Sequence, residues 1–325
     1  MATLKDVAQL AGVTVTTVSR MLNGRGNVSG KTRERIHQAM DALGYSPNEM
    51  ARSLKAASSP FIGVIVPTVN TPFFASLVEE IEKAAFIRGY RILLCVTGMD
   101  EAKERDCYTM MLSSKVSGII QCNQTARVEE YVRPGAPVVI IERVSGKDIP
   151  SIVSDNEHGG RLTAEHLIAR GCRHLASLEA PLEEESDAAR RAESFRAVAL
   201  AHGLPEPVRV FFPVEKLFSL DFEEHIEALF REHPEVDGIG TVDAVAARVV
   251  HWCLKRGIRV PEDVKVVGYD DSIFASICAL PLTTIRQPIP EIGALAVDTV
   301  IRQAAGEIVP VRSVLPVQLI QRSTT

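Results

Sequence analysis

The spacing of hydrophobic residues changes near residue 60 and divides the chain into two parts. In the first part, apolar residues recur at helical intervals in three short stretches. These are Val7, Ala8 and Ala11, then Val18 and Leu22, then Ile36, Met40 and Leu43. In the second part, short apolar runs alternate with longer amphipathic segments, which is typical of a parallel α/β sheet. The pattern therefore predicts three N-terminal helices followed by an α/β body.

Local signals mark both ends of the first helix. Thr3 is followed three residues later by Asp6, which forms a capping-box start and places a carboxylate near the positive end of the helix. The helix is therefore predicted to begin at about Leu4. Gly12 provides the permissive backbone that ends it and turns the chain.

The second and third helices have capping residues of their own. Thr14 can cap a second helix that runs to about Asn23. Ser29 can cap a third helix over residues 29–43, which Gly44 stops. The apolar stripes of the three helices would then form one small core.

Two short helices joined at a glycine predict a helix-turn-helix. In this motif the second helix lies in the DNA major groove, and its first residues contact base edges. Those residues here are Val15 and Thr16, with Arg20 one turn further along the same face. A plain helical hairpin would show the same spacing, so spacing alone leaves that alternative open.

Residues 46–57 combine a strong helix-start signal with a short length. Ser46, Pro47 and Glu49 suit the N-cap, the first helical position and the third. Isolated helices shorter than about 12 to 15 residues are marginal in water, so we expect this segment to be helical only when something holds it. An ordinary linker is the alternative.

The α/β pattern of the body predicts two similar halves. The predicted strands are 61–66, 91–96, 118–121, 138–141, 174–178, 208–212, 238–240 and 264–268. The predicted helices are 73–88, 102–114, 157–170, 189–202, 222–232, 244–256 and 290–305. Two halves imply two lobes, each a doubly wound parallel sheet, with a ligand between the carboxyl ends of their strands.

Charge is distributed unevenly along the 325 residues. Residues 1–57 contain eight basic and four acidic side chains, a net charge of +4, whereas the whole chain carries -5 and the remainder therefore -9. The hydrophobic content of 46% is ample for buried cores. A basic N-terminal part on an acidic body favours phosphate attraction at the predicted helix-turn-helix.

Several classes of protein are disfavoured by what the sequence lacks. It shows no basic and apolar leader and no run long enough to span a membrane, so we expect a cytoplasmic protein with no membrane partner. The six cysteines show no CxxC spacing, which favours reduced core thiols. GIGTVDA lacks the third glycine of a dinucleotide loop, and P-loop, HExxH and GxSxG motifs are absent. We therefore expect no enzyme, no catalytic residue, no metal site and no cofactor.

The N-terminal sequence closely resembles that of one protein family. LKDVAQLAGVTVTTVSRMLN followed by VSGKTRERIHQAMDALGYSPNEMARSL is similar to the signature of the LacI/GalR repressors. The resemblance implies a helix-turn-helix headpiece over 1–45, a hinge helix and linker over 46–60, and an effector-binding and dimerisation body over 61–325. It implies a body like a periplasmic binding protein, in which the chain crosses between lobes three times. The implied N-lobe covers about 61–154 and 288–315, and the implied C-lobe about 155–287 and 316–325.

The resemblance also implies which residues bind DNA. They are Thr14, Val15, Thr16, Thr17, Ser19, Arg20, Asn23, Asn27, Thr32, Asn48, Ala51 and Leu54. In the family, paired hinge helices push a leucine into the minor groove, and Leu54 matches that residue. Such a wedge unstacks a base step at a cost of about a few kcal/mol.

Candidate effector-binding residues follow the ends of strands. Asp270 and Arg191 match the effector aspartate and arginine of the family. The remaining candidates are Phe73, Phe74, Glu142 and Asp243. A sugar needs carboxylates and a guanidinium beside an aromatic or apolar wall, which these residue types supply. Val242 stands where the family commonly has a ligand-binding asparagine, so the identity of a known sugar does not transfer.

The residues and the resemblance together predict a homodimeric repressor of a carbohydrate-utilisation operon. It would bind a pseudo-palindromic double-stranded operator and be released by a sugar or sugar phosphate. A co-repressor type, in which ligand or a phosphocarrier protein strengthens DNA binding, remains open. A sugar-binding transport protein is one alternative, since it would have the same kind of body. A sugar-processing enzyme is another, and it would need a pair of residues that act as general acid and general base. No leucine-heptad helix follows the closing segment 315–325, so we expect a dimer, with exposed apolar positions on the helices at 73–88 and around Trp252.

Overall fold

The computed structural model describes residues 2–22, 27–45, 59–122, 132–133, 135–143, 149–181 and 186–325. Contacts divide the chain into an N-terminal unit, Met1–Ser59, and a larger unit, Pro60–Thr325. We call these units the head and the body.

The described part of the head contains the three predicted helices. They are α1 (Leu4–Leu10), α2 (Val15–Leu22) and α3 (Gly30–Ala42). Val7, Val18 and Ile36, one from each helix, are fully buried against one another in a single cluster. The apolar stripes in the sequence therefore form one small core.

Side chains cap the head helices as their sequence predicts. The Thr3 amide and hydroxyl both donate to Oδ2 of Asp6 at 2.7 Å, which completes the capping box of α1. The Thr17 amide donates to the Thr14 hydroxyl at 3.2 Å, and Ser29 accepts from the Thr32 amide at the same distance. These bonds fix where α1, α2 and α3 begin.

The turn between α1 and α2 depends on a glycine and an arginine. Gly12 has φ 62, a backbone conformation that costs a glycine little. Nη2 of Arg35, from α3, donates to the carbonyl oxygens of Ala11 and Gly12. The arginine therefore satisfies carbonyls left without a partner at the end of α1 and ties α3 to the turn.

The body contains two six-stranded sheets. The first sheet has the order β11-β5-β4-β3-β1-β2, and all its pairs are parallel. Its strands are β1 (Phe61–Val66), β2 (Arg91–Val96), β3 (Gly118–Gln121), β4 (Val138–Ile141), β5 (Ser151–Ser154) and β11 (Arg312–Leu315). The second sheet has the order β12-β10-β9-β8-β6-β7, and β12 alone runs antiparallel. Its strands are β6 (Leu175–Glu179), β7 (Val208–Phe211), β8 (Gly238–Gly240), β9 (Lys265–Asp270), β10 (Thr283–Arg286) and β12 (Gln318–Ile320).

Helices connect these strands in the way that a doubly wound fold requires. They are α4 (Pro72–Ile87), α5 (Glu101–Ser113), α6 (Asn156–Ala169), α7 (Ala189–Ala201), α8 (Lys216–Ser219), α9 (Glu223–Glu232), α10 (Asp243–Lys255), α11 (Ile273–Ile277) and α12 (Ile289–Ala304). Every predicted strand and helix of the body is present, with ends that agree to within two residues. The short elements β5, β10, β11, α8 and α11 were not predicted, and β12 lies within the segment 315–325 that resembles the closing strand of the family.

The helices on either side of β6, α6 and α7, pack against each other closely. A Cβ atom at Gly160 of α6 would lie 2.1 Å from the carbonyl oxygen of Arg191 in α7. A Cβ atom at Gly159 would lie 2.3 Å from the hydroxyl of Tyr269 on β9. These two glycines therefore let α6 approach both neighbours.

We predict that Gly160→Ala lowers the free energy of unfolding by about 1 to 3 kcal/mol, because the new methyl group overlaps backbone that cannot move away cheaply. Urea denaturation of the two proteins measures the difference. Gly30→Ala is the control: a Cβ atom there meets nothing within 4 Å, and alanine should be neutral or slightly stabilising in a helix. Equal effects at Gly160 and Gly30 would contradict the close packing.

Candidate functional site

A cavity lies in the body where strands of both sheets end. Its lining includes Pro67 after β1, Glu142 after β4, Glu179 at the end of β6 and Asp270 at the end of β9. Its volume is about 1570 Å³, including the part that is open to solvent. Crevices at the carboxyl ends of parallel strands are where this class of fold binds ligands.

Asn156, the first residue of α6, connects polar groups from the two sheets. Its Nδ2 donates to Oε2 of Glu142 at 2.8 Å, while its Oδ1 accepts from Nη2 of Arg191 at 2.7 Å and from Nε at 3.2 Å. Glu142 also accepts from the Ser154 amide at 2.6 Å. Only 1% of Asn156 is exposed. Sequence reasoning missed this residue, because the strand that precedes it, β5, was not predicted either.

Arg191 lies flat on an aromatic ring. Its guanidinium carbon is 3.2 Å from the centroid of the Tyr269 ring, a cation–π contact within a largely buried site. Tyr269 is on β9 and only 2% exposed, and burial raises the pKa of its phenol. The arginine is therefore held between the ring and the amide of Asn156.

Asp270 ends β9 in an unusual backbone conformation. Its φ is 115, which L residues rarely adopt, and Glu142 after β4 also has a positive φ of 57. Oδ1 of Asp270 accepts from Nε2 of Gln287 at 2.6 Å, and Oε1 of Gln287 accepts from the Ser154 hydroxyl at 2.6 Å. Two carboxylates at the cavity thus occupy backbone positions of the kind that cluster at functional sites.

The pKa values of two cavity carboxyls, Glu142 and Asp270, are shifted upward. Burial raises the pKa of Glu142 above its ordinary value, and hydrogen bonds from Ser154 and Asn156 oppose this effect. Burial also raises the pKa of Asp270, and the neighbouring carboxylate of Asp243 raises it further. Both shifts favour the protonated form, and the carboxyl oxygens can still accept hydrogen bonds from a ligand.

Five of the six residues predicted to bind an effector line the cavity. They are Phe73, Phe74, Glu142, Arg191 and Asp270. The two phenylalanines come from the start of α4 and contact each other edge to face, with their ring centroids 5.2 Å apart. The nearby Thr71 hydroxyl, which sequence reasoning also missed, is buried without a hydrogen-bond partner among the described residues.

The position of Asp243 corrects the remaining prediction. Its side chain is fully buried and is not part of the cavity lining. Its carboxylate accepts from the Ser272 amide and from the Thr284 hydroxyl, both at 2.6 Å. Asp243 therefore fixes the loop after β9 rather than facing the cavity. The side chain of the first residue of a helix can point towards the cavity or away from it, and the position in the sequence does not reveal which.

The head presents the start of α2 to solvent. Val15 is 42% exposed, and Thr14, Thr16 and Arg20 are also exposed. Ser19 is partly exposed on the same helix. The α2 surface therefore offers short apolar and hydroxyl groups beside a guanidinium.

A shallow surface cavity adjoins this helix. Its lining is Thr17, Arg20, Asn27, Val28, Ser29 and Thr32, and its volume is about 470 Å³ including open solvent. It brings predicted DNA-binding residues from α2, from the segment before α3 and from α3 together. Four other predicted DNA-binding residues, Asn23, Asn48, Ala51 and Leu54, lie outside the described residues.

A helix-turn-helix head and a two-sheet body with a cavity define a ligand-responsive DNA-binding protein. Residues 3–48 match the family described as "Bacterial regulatory proteins, lacI family", and residues 164–325 match "Periplasmic binding protein-like domain". The chain belongs to the LacI family of transcription regulators. The predicted fold class is confirmed.

Known relatives extend along nearly the whole chain. It is 34% identical over 328 residues to the ribose operon repressor of Halalkalibacterium halodurans, covering 100% of this chain and 97% of the relative. It is 36% identical over 324 residues to the sucrose operon repressor of Pediococcus pentosaceus, covering 99% and 98%. These relatives are repressors, so the prediction that the protein is a DNA-binding transcription regulator and not an enzyme is confirmed.

The fold also matches a solved structure along its length. A crystal structure of the lac repressor dimer bound to operator and the anti-inducer ONPF has a TM-score of 0.86 and 29% sequence identity, and the match covers 99% of this chain and 98% of that one. Within the described part of our chain, none of the helices is both long and apolar enough to cross a membrane.

We predict that Asp270→Asn raises the melting temperature, Tm, by a few degrees at pH 8 and by less at pH 5. Folding raises the pKa of this carboxyl, so the folded protein binds its proton more tightly than the unfolded chain does. The stability that this proton contributes is lost as pH rises above the ordinary pKa of about 3.9 towards the folded value. An amide of the same shape has no charge to bury.

Calorimetry at the two pH values measures this difference. Asp106→Asn, at an exposed position of α5, is the matched control and should give the same small shift at both. If the increase in Tm caused by Asp270→Asn were no larger at pH 8 than at pH 5, the upward displacement of the Asp270 pKa would be contradicted.

Proposed function

We propose that this regulator represses a carbohydrate-utilisation operon and is released when a sugar binds in the body cavity. The observation that carries the proposal is the cluster formed by Glu142, Asn156, Arg191 and Asp270, which joins polar groups from both sheets in one cavity. Relatives named for the ribose and sucrose operons support the class of target.

The chemistry of the cavity suits a sugar. Hydroxyl groups can donate to the carboxylates of Glu142 and Asp270 and accept from the guanidinium of Arg191. The apolar face of a sugar ring can lie against the rings of Phe73 and Phe74. The Thr71 hydroxyl, which has no hydrogen-bond partner within the described ranges, adds a further group that a ligand can satisfy.

Release would follow from the position of the cavity between the two sheets. A ligand that contacts Glu142 beside the first sheet and Asp270 at the end of the second binds best at one separation of the lobes. It therefore shifts the population towards that separation by its differential affinity. We propose that residues 61–325 sense the effector, residues 1–45 read DNA, and residues 46–60 transmit the change.

We propose that the exposed end of α2 reads the operator. Val15 and Thr16 can contact a thymine methyl group or form a single hydrogen bond, and Arg20 can reach a base edge or a phosphate. The net charge of +4 over residues 1–57 supports phosphate binding nearby.

We also propose a homodimer on a pseudo-palindromic operator. The lac repressor structure that this fold matches is a dimer bound to operator. In our chain, both lobes carry exposed apolar residues of the kind that interfaces cover. In the first lobe these include Phe86, Ile87 and Leu94, and near the second sheet Ile273 and Ile277. Trp252 itself is buried, while Leu254 on the same helix is 41% exposed.

The proposal is tested by measuring operator binding with and without sugars. Selection from random DNA first yields a binding sequence, and fluorescence anisotropy then follows the complex while ribose, sucrose and other sugars are added. We expect at least one carbohydrate to weaken the complex. Failure of every tested sugar to change DNA binding would overturn the proposed effector class.

Arg191→Ala and Asp270→Ala should each lower the affinity for that sugar by about one to two decades, because a charge-assisted hydrogen bond contributes about 1.5 to 3 kcal/mol. Operator binding without sugar should remain. Asp106→Ala, on the exposed face of α5, serves as the control and should respond like the native protein. Normal sugar release in both cavity variants would place the effector elsewhere.

Exchanging Val15 and Thr16 should change which half-site is selected from random DNA, because apolar and hydroxyl side chains favour different base edges. The matched control is Gln38→Ala on the exposed side of α3, which should select the native half-site. Recovery of the native half-site by the exchanged protein would mean that the start of α2 does not read bases.

A further inference from the structure

The turn between α1 and α2 has two backbone carbonyls that need a partner from elsewhere. The Val13 amide donates to the Ala8 carbonyl at 3.0 Å, which closes the end of α1. The carbonyls of Ala11 and Gly12 come after that point, and an α-helix provides no partner for its last carbonyls. A group outside α1 must therefore bind them.

A side chain from α3 binds both carbonyls. Nη2 of Arg35 donates to the carbonyl oxygen of Ala11 and, at 3.2 Å, to that of Gly12. The positive charge of the guanidinium also lies at the carbonyl end of α1, where the helix dipole is negative. Helix α2 begins at Val15, close behind this turn. Arg35 therefore connects α3 to the backbone from which α2 starts.

Gly12 leaves the space that this contact occupies. A Cβ atom at Gly12 would lie 2.9 Å from Nη2 of Arg35, a separation that Cβ atoms do not adopt in folded proteins. The positive φ of Gly12 also disfavours any side chain there. The conformation of the turn and the space beside it both suit the guanidinium of Arg35.

A second arginine of α3 lacks such a contact. Arg33 is exposed and carries the same charge, but its side chain makes no hydrogen bond or ion pair within the part of the head that the structure describes. The guanidinium of Arg35 bonds to the turn, and no described carboxylate forms an ion pair with it. Two arginines on one helix therefore differ in what their charge does.

We propose that Arg35 is a positioning residue for operator recognition, which fixes the direction in which α2 leaves the turn. This role rests on the proposed reading of bases by the start of α2. Hydrogen bonds to base edges require donor–acceptor distances of about 2.7 to 3.2 Å, so a small rotation of α2 weakens them. Non-specific binding depends on charge and changes little when α2 rotates. Arg35 therefore controls discrimination between DNA sequences.

Fluorescence anisotropy on the full chain tests this role with two duplexes. One is the sequence that the native protein selects from random DNA, and the other is a scrambled duplex of the same length and composition. Arg35→Met removes both hydrogen bonds at an exposed position and introduces a good helix former. We expect affinity for the selected duplex to fall about tenfold and affinity for the scrambled duplex to fall less than about twofold. The dependence of affinity on salt concentration should keep its native slope, because no phosphate contact is lost.

Arg33→Met is the matched control, since it removes the same charge from an exposed position of the same helix. It should leave the ratio of the two affinities at its native value. Calorimetry gives the temperature at which each head unfolds, and all binding is measured below that temperature. Arg35→Ala is a second variant with a different side chain and should behave like Arg35→Met.

Each other result has a distinct meaning. Equal losses on both duplexes with a shallower salt slope would make Arg35 a phosphate contact and overturn its positioning role. Native affinities with a lower unfolding temperature would leave Arg35 only a stabilising role, as would failure of both Arg35 variants to fold.

The exchange of Val15 and Thr16 separates this role from the proposed reading of bases. If the exchanged protein selects a new half-site while Arg35→Met discriminates like the native protein, only the role of Arg35 is wrong. If the exchanged protein selects the native half-site, the reading of bases by the start of α2 is wrong as well.

Discussion

The side-chain amide of Asn156 is the interaction on which the cavity depends. An amide can donate to a carboxylate and accept from a guanidinium at the same time, which no charged or apolar side chain can do. Asn156 uses both capacities, towards Glu142 and towards Arg191. Without it, Glu142 would lose a hydrogen-bond donor and Arg191 an acceptor, and a hydrogen bond to a charged group typically contributes about 1.5 to 3 kcal/mol. The network therefore links the lobes and orients the groups that a ligand would meet.

The loop after β9 shows how neighbouring residues hold an energetically unfavourable backbone conformation in place. Asp270 and Asp271 both have positive φ, and Asp270 is half-buried at the edge of the cavity. The carboxylate of Asp271 forms ion pairs with Arg322 at 2.6 Å and with Arg286 at 2.7 Å. The carboxylate of Asp243 accepts a hydrogen bond from the backbone amide of Ser272, the next residue in the loop. Rigid surroundings of this kind allow an unfavourable backbone conformation to persist where a ligand needs it.

Local patterns in the sequence predicted the regular elements, and the ends of strands together with the family resemblance pointed to five residues that line the cavity. Capping residues such as Thr3 and Thr14 act within one helical turn, and strands such as β1 are continuous apolar runs. The short strands β5 and β10 read Ser-Ile-Val-Ser and Thr-Thr-Ile-Arg, too brief and polar to show periodicity. The direction of Asp243 and the bridging role of Asn156 depend on contacts between distant segments. No local pattern encodes such contacts.

Neither sheet of the body is built from one continuous segment. β11 pairs with β5 although about half of the chain lies between them in sequence. β12 pairs with β10 only after the chain has passed through the first sheet and returned. The backbone therefore passes between the lobes three times. Neither lobe can be excised as a fragment, duplicated or exchanged with a relative by a single recombination event. The two lobes must be inherited together, and the specificity of the cavity changes by substitution of individual side chains.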